Sequence, residues 1–137
     1  MSTAEVIQRW IDAINRQDVE AYSSLYAPTA IVRDPQYPHP LEGRDAIRED
    51  IDNFFRAFPD LNATVRSTME NGNTYAFEGT FSGTNKGPLA LDSGDLPPTG
   101  NRVEFTGAGF VRIDGQGRIL EESRYYDLAG LFAQLGV

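Results

Sequence analysis

The spacing of apolar residues in the first half of the chain predicts helices. Apolar side chains recur every three or four positions over residues 6–14, with polar residues between them, as on one face of a helix. Asp18 can cap a second, short helix, and Pro28 ends it because a residue before proline disfavours helical geometry. A third helix is predicted over residues 44–58, where Pro59 stops it.

After Pro59 the apolar pattern changes to strict alternation, which is typical of half-buried strands. Asn71-Gly72-Asn73 and the segment 114–117 supply tight turns between them. Strands are predicted over residues 61–70, 75–85, 102–113 and 119–127, after a short first strand at 30–34. Helices lead and strands follow. The pattern therefore predicts an α+β fold, with helices packed on one face of a curved, mostly antiparallel sheet and a short closing helix.

Length and composition limit the classes of function. A chain of 137 residues with 40% hydrophobic residues is predicted to form one domain over residues 1–137. Its net charge of −8 argues against a nucleic-acid partner, because phosphate binding needs clustered lysine and arginine. The absence of cysteine excludes disulfides and thiolate metal sites. No apolar run approaches a membrane span or a signal-peptide core, so we expect no membrane partner and a cytoplasmic protein.

The last predicted strand is polar where a core strand should be apolar. Glu121, Ser123, Tyr125 and Asp127 share one face of it by the alternation of strand side chains. If that face lines a cavity, the Asp127 carboxylate points into it, and this is our first prediction for a catalytic group. The alternative is that Asp127 caps the closing helix, since aspartate is a favoured N-cap residue.

Several motifs resemble one known superfamily across nearly the whole chain. The segment 26–50 and the Ala-Phe-Pro-Asp run at 57–60 are similar to those of nuclear-transport-factor-2-like proteins, and the second run is more specific to SnoaL-like polyketide cyclases. Gly83-Thr84, Pro98-Thr99-Gly100 and the ending Gln134-Leu135-Gly136 strengthen the resemblance. It implies a cone-shaped fold in which three N-terminal helices close the concave face of a strongly bent sheet. It also implies a homodimer that forms through the sheet.

The resemblance further implies an enzyme without cofactor or metal. Such cyclases act on a small apolar carbonyl compound by intramolecular aldol ring closure, with the last-strand aspartate as general acid/base. Asp127 matches that position, and Asn85 and Tyr125 would orient the substrate. The family motif Gly-Thr-His stands here as Gly83-Thr84-Asn85. Because an asparagine amide cannot exchange a proton, any second acid/base partner at this position is lost.

Asp34 is the second predicted catalytic residue. It ends the first predicted strand and resembles the position of the ketosteroid isomerase base, which moves a proton beside a carbonyl group. That reaction needs hydrogen-bond donors for the developing oxyanion, and the matching positions fall near Trp10 and Gly109. Glycine offers no side-chain donor, so steroid-type isomerisation is disfavoured. The alternative for Asp34 is a turn-forming residue before Pro35.

Other residues are predicted to bind substrate or to fill the core. His39 is the only histidine, so a histidine-rich metal site is excluded; it would be a proton carrier at the cavity mouth or an exposed loop residue without a role. The aromatic side chains predicted to line a ligand cavity, or alternatively to pack in the core, are Trp10, Tyr22, Phe54, Phe58, Tyr75, Phe77 and Phe81.

Two further functions stay open at this point. The same cone could be a non-catalytic module that binds a small ligand or mediates dimerisation. Epoxide hydrolysis would need an Asp-Arg-Asp arrangement around a water molecule, but the alternation places Arg112 and Arg124 opposite Asp127. The acidic runs 49–52 and 121–122 are predicted to be solvated.

Overall fold

The computed structural model describes residues 2–137. Its helices are α1 (Thr3–Asn15), α2 (Val19–Ser24), α3 (Arg44–Ala57) and α4 (Leu128–Leu135). Its strands are β1 (Tyr26–Arg33), β2 (Leu41–Glu42), β3 (Asn62–Asn71), β4 (Thr74–Thr84), β5 (Leu89–Leu91), β6 (Gly94–Leu96), β7 (Arg102–Ile113) and β8 (Ile119–Tyr126).

Six of the strands form one sheet, in the order β2-β1-β8-β7-β4-β3. The pair β1–β8 is parallel and the other neighbours in this sheet are antiparallel. The three N-terminal helices pack against the sheet, and their apolar stripes bury residues such as Val6, Ile14, Ile47 and Phe55. The predicted α+β cone, with a mostly antiparallel curved sheet and a short C-terminal helix, is confirmed.

The register of the β4–β7–β8 segment decides which side chains face the helices. Phe77 in β4 lies opposite Gly109 in β7, and Gly109 lies opposite Arg124 in β8. A Cβ atom on Gly109 would come within 2.7 Å of the Phe77 ring, so glycine lets this ring lie against the strand. Because residues directly opposite each other in a sheet share a face, Arg124 lies on the same inner face as Phe77.

Two segments differ from the predicted elements. Strand β1 begins at Tyr26, before Pro28, because its pairing with β8 is irregular between Tyr26 and Ile31, where a proline without an N–H is tolerated. The segment 86–100, which lies between two predicted strands, contains the small β5–β6 hairpin, whose Leu89 is buried. Fully buried Asn85 anchors this segment through hydrogen bonds to Gly87 and Thr99.

The outer face of the sheet carries several exposed apolar side chains. Met69, Phe110 and Tyr125 are more than half exposed there, and the rings of Phe110 and Tyr125 meet edge to face. Dimerisation through the sheet stays a prediction. Within residues 2–137, no helix combines the length and the apolar character that a bilayer crossing requires.

Candidate active site

A cavity lies between the helices and the inner face of the sheet. It is open to solvent at one end, and its volume is about 90 Å³. Apolar and aromatic side chains form most of its wall: Trp10, Ile14, Ile51, Phe54, Leu61, Phe77, Phe81 and Phe105. Its polar lining residues are Tyr22, Asp34, Gln36, Asp50, Arg124 and Tyr126, and Tyr125 and Ala108 also border it.

The polar lining residues gather around Arg124 at one end of the cavity, called here the polar end. The Nη1 atom of Arg124 donates to Asp34 Oδ2 at 3.0 Å and to Asp50 Oδ2 at 3.1 Å, so one nitrogen bridges two carboxylates. Its Nη2 atom donates to the Tyr22 hydroxyl at 3.0 Å, and its Nε atom donates to Glu122 Oε2. The Arg124 side chain is only 16% exposed. Four of the five guanidinium donors are thereby used, which leaves one N–H of Nη2 free for a ligand.

The Asp34 carboxylate is held by three donors. Besides Arg124, the Tyr126 hydroxyl donates to Oδ1 at 2.6 Å, and the backbone N–H of Gln36 donates to the same oxygen at 2.8 Å. The Tyr126 hydroxyl is neutral at ordinary pH, because burial and the adjacent Asp34 carboxylate raise the pKa of Tyr126. Asp34 therefore has a fixed orientation on the cavity wall.

Asp50 comes to the same point from helix α3. Its side chain is 8% exposed and accepts from Arg124 and from the Tyr37 hydroxyl. Burial raises the pKa of Asp50, although Arg124 and Tyr37 oppose that shift. A carboxyl group with a raised pKa keeps its proton at higher pH, as a general acid near neutral pH requires.

Glu122 lies behind the guanidinium and is completely buried. It accepts from Arg124 Nε and from the Tyr26 hydroxyl, and the Trp10 indole N–H donates to that hydroxyl at 3.0 Å. Burial alone would lower the pKa of Arg124, but the negative charges of Glu122 and Asp50 outweigh it and raise the pKa well above its usual value. Arg124 is therefore a permanent cation.

The acidic residues of this site are arranged around Arg124. In residues 2–137, no group of three or more histidine, cysteine, aspartate or glutamate side chains has the arrangement to hold a metal ion. The carboxylates of Asp34, Asp50 and Glu122 converge on a guanidinium group instead.

Comparison with known proteins identifies the family of the chain. A family model described as SnoaL-like polyketide cyclase matches residues 4–135. The chain belongs to the SnoaL-like polyketide cyclase family. It is similar to the solved structure of IdmH, a candidate polyketide cyclase from Streptomyces antibioticus, with 28% identity, coverage of 100% of both chains and a TM-score of 0.78. No curated protein matches the chain.

Two other solved structures share the fold at lower identity. AclR, a candidate hydroxylase from Streptomyces galilaeus, is 22% identical, with 98% of this chain and 80% of AclR covered and a TM-score of 0.80. An M. tuberculosis epoxide hydrolase described as LEH-like is 14% identical, with 97% and 88% covered and a TM-score of 0.73. At these identities the likeness is one of fold alone.

In this SnoaL-like chain, Asp127 does not face the cavity, so that prediction is wrong. The residue is exposed, and its Oδ1 accepts from the Gly130 backbone N–H at 2.9 Å, which makes it the N-cap of α4. The alternative interpretation is therefore confirmed. The error has one cause: the face of β8 that carries Glu122, Arg124 and Tyr126 points inward, and the face of Asp127 points outward.

Asp127→Ala is expected to lower the free energy of unfolding by about 1 kcal/mol, the usual loss for an N-cap aspartate. The Arg124 cluster should keep its geometry, because Asp127 contacts none of it. Urea unfolding and an NMR comparison of the Trp10 indole signal would measure both effects. A shifted indole signal with unchanged stability would contradict this assignment.

The other predicted site residues divide between the cavity and the rest of the fold. Trp10, Tyr22, Phe54, Phe77, Phe81 and Asp34 line the cavity, although any catalytic or binding role stays a prediction.

Four predicted substrate contacts lie elsewhere. Asn85 is fully buried away from the cavity, with its amide bonded to Ala57, Gly87 and Thr99, so it cannot orient a substrate. Phe58 and Tyr75 are core residues outside the lining, and His39 is an exposed loop residue. Tyr125 borders the cavity, but the residue is 57% exposed and lies on the outer face of the sheet.

The sequence-based prediction missed Asp50, Arg124, Glu122, Tyr37 and Tyr126. A signal existed for Asp50, which follows Ile47 by three positions and precedes Phe54 by four, and so lies on the buried stripe of α3. The acidic runs were predicted to be solvated, which is wrong for Asp50 and Glu122, 9% and 0% exposed. For Arg124 the signal was the hairpin register, which pairs it with Gly109 on the inner face.

Proposed function

We propose that this protein is a cofactor-independent acid/base enzyme that acts on a small, largely apolar carbonyl compound, in the manner of a cyclase that closes a ring by an intramolecular aldol reaction. The observation that carries the proposal is the pair Asp34 and Asp50 on one nitrogen of Arg124, at the polar end of an otherwise apolar cavity. The family of the chain and its similarity to IdmH support the same class of reaction.

The two carboxyl groups have different surroundings, which suits different roles. Asp34 would take the proton from the carbon next to a carbonyl group, and the resulting enolate would attack a second carbonyl carbon of the same molecule. Asp50, whose pKa burial raises, would give its proton to the alkoxide that forms. The product carries one new carbon–carbon bond and one hydroxyl group, and a proton returns from Asp34 to Asp50 through solvent.

Arg124 would stabilise the negative oxygen with its free Nη2 donor. A donor that is fixed before the reaction, in a cavity shielded from water, stabilises developing charge more than a mobile one. The aromatic wall of Trp10, Phe77 and Phe81 would hold the apolar part of the substrate.

Epoxide hydrolysis is the second candidate, and the bridged Asp34–Arg124–Asp50 arrangement favours it. One carboxylate would take a proton from water while the other carboxyl protonates the epoxide oxygen, which yields a diol. The expected obstacle, that Arg124 lies opposite Asp127, disappears because Asp127 faces outward.

One experiment distinguishes these functions. The protein is incubated in D₂O with cyclic and aryl ketones, and NMR measures deuterium incorporation beside the carbonyl group. In parallel, aryl and cyclic epoxides are incubated in ¹⁸O-water, and mass spectrometry detects labelled diol. Deuterium exchange above the buffer rate supports the carbonyl reaction, and labelled diol alone supports the hydrolase. Neither product, with ligand bound to the cavity, would leave a binding module and contradict the enzymatic proposal.

A further inference from the structure

The polar end of the cavity contains more acidic than basic groups. Three carboxyl side chains, those of Asp34, Asp50 and Glu122, contact Arg124. Among the lining residues of the described chain, Arg124 is the only cationic side chain. At formal charges, one positive group therefore faces three negative ones, all of them nearly or wholly withdrawn from water.

The neighbouring hydroxyl groups do not correct this imbalance. Burial raises the pKa of Tyr22, Tyr26, Tyr37 and Tyr126, so these phenols are neutral donors or acceptors. The only histidine, His39, is exposed and outside the lining. If Asp50 holds a proton, two carboxylates still face one guanidinium.

We infer that the cavity selects ligands whose polar end is uncharged or cationic and that it rejects carboxylates. The buried Glu122 sets this preference, because its negative charge neutralises the Arg124 guanidinium from the side that does not face the cavity. The inference rests on the proposed function only in taking the cavity as the ligand site. For that function it names the substrate class: a neutral ketone, aldehyde or ester rather than a free acid.

The physical reason is that Arg124 has little attraction left for an anion. An arginine that faces an apolar cavity alone would bind a carboxylate tightly as a bidentate pair. Here its Nε and Nη1 donors are taken by carboxylates, and one Nη2 donor is taken by Tyr22. A ligand carboxylate would lose its hydration and also be repelled by Asp34 and Asp50. A neutral carbonyl oxygen needs only the single free donor.

Trp10 provides the probe for a test. It is the only tryptophan of the chain and lines the cavity, so its indole N–H gives one NMR signal that responds to an entering ligand. The probes are 2-naphthamide and 2-naphthoate, which have nearly the same shape, and 2-naphthylmethylamine as the cation. At pH 7 we expect 2-naphthamide and the amine to bind the wild-type protein at least about tenfold more tightly than 2-naphthoate.

Glu122→Gln and Glu121→Gln form a matched pair of variants. Both remove one negative charge from β8, but Glu122 is buried behind Arg124, whereas Glu121 pairs with Arg33 and Arg112 on the outer face. The ratio of the dissociation constants of 2-naphthoate and 2-naphthamide should fall at least about threefold in Glu122→Gln and stay unchanged in Glu121→Gln. If Glu122→Gln does not fold, Asp34→Asn removes one charge from the same end and should narrow the difference likewise.

Three outcomes would overturn the inference. The first is equal or tighter binding of naphthoate by the wild-type protein, and the second is binding of none of the probes. The third is a difference that both variants leave unchanged, which would remove Glu122 as its cause. A preserved preference without any isotope exchange or diol formation would remove the proposed reaction alone, so the two failures are distinguishable.

Discussion

Arg124→Met is expected to lower the free energy of unfolding by about 3–5 kcal/mol, the usual loss when one partner of a buried ion pair is removed. Methionine keeps much of the length and apolar character of the arginine stem, so the main change is the loss of charge and donors. Asp34, Asp50 and Glu122 then remain buried without their cation. Since small domains have only about 5–15 kcal/mol of stability, this is a large fraction.

The pH dependence of that loss identifies its cause. Without the guanidinium, the folded variant should hold these carboxyl groups at raised pKa values, so its stability falls as pH rises above their unfolded pKa values. The difference from wild type should therefore be largest near neutral pH and shrink on acidification to about pH 4. Urea unfolding at several pH values measures it.

Arg112→Met is the matched control. Arg112 lies on β7, and its guanidinium binds Glu121 at 2.8 Å in an exposed pair on the outer face. Because exposed ion pairs are screened by water, we expect a much smaller loss, with little pH dependence. Similar losses in the two variants would show that the Arg124 cluster is not a buried charge network.

Asp50→Asn is expected to reduce turnover by roughly 10²- to 10⁴-fold, the usual contribution of a general acid or base. Turnover is measured in whichever of the two assays, deuterium exchange or diol formation, shows activity for the wild-type protein. Asparagine keeps the shape of the side chain, and its amide oxygen can still accept from Arg124 while its NH2 group faces the Tyr37 hydroxyl, but it cannot act as an acid. In the wild-type protein, turnover should fall as pH rises through the pKa of Asp50, because the acid must be protonated. Burial raises that pKa, so the fall should occur at higher pH than an exposed aspartate would give.

Asp52→Asn is the control on the same helix, two positions away and exposed. It should leave turnover and its pH profile unchanged. Unfolding measurements and the Trp10 indole signal establish that Asp50→Asn keeps its fold and cavity. A folded Asp50→Asn protein with near-wild-type turnover would remove Asp50 from the mechanism.

The location of Asp34 illustrates what sequence reasoning can reach. Its position at the end of the first strand, and the resemblance of that position to an isomerase base, placed it on the list of catalytic candidates, and it lines the cavity. Its partners could not be predicted. Arg124 is 90 residues away in sequence, and Tyr126 is 92 residues away.

The sequence by itself determined the elements and their class. Helical spacing, alternation and turn residues depend on local geometry, so they predicted the three leading helices, the long antiparallel strands and the closing helix. The resemblance of the motifs to a known family added the prediction of a cone-shaped fold. Local chemistry also predicted that aspartate at 127 could cap a helix.

Only the tertiary structure decided which polar side chains form the site. Both faces of β8 are polar, so the alternation of side chains cannot distinguish the inner face from the outer one. A shift of the strand register by one residue would turn the face of Asp127 inward and the face of Arg124 outward. The pairing of β8 with β7 makes that choice. A buried charge is stable only with its partners, and the partners of Arg124 come from α2, the residue that follows β1, α3 and β8. Their meeting is a property of the folded chain, because no local pattern encodes it.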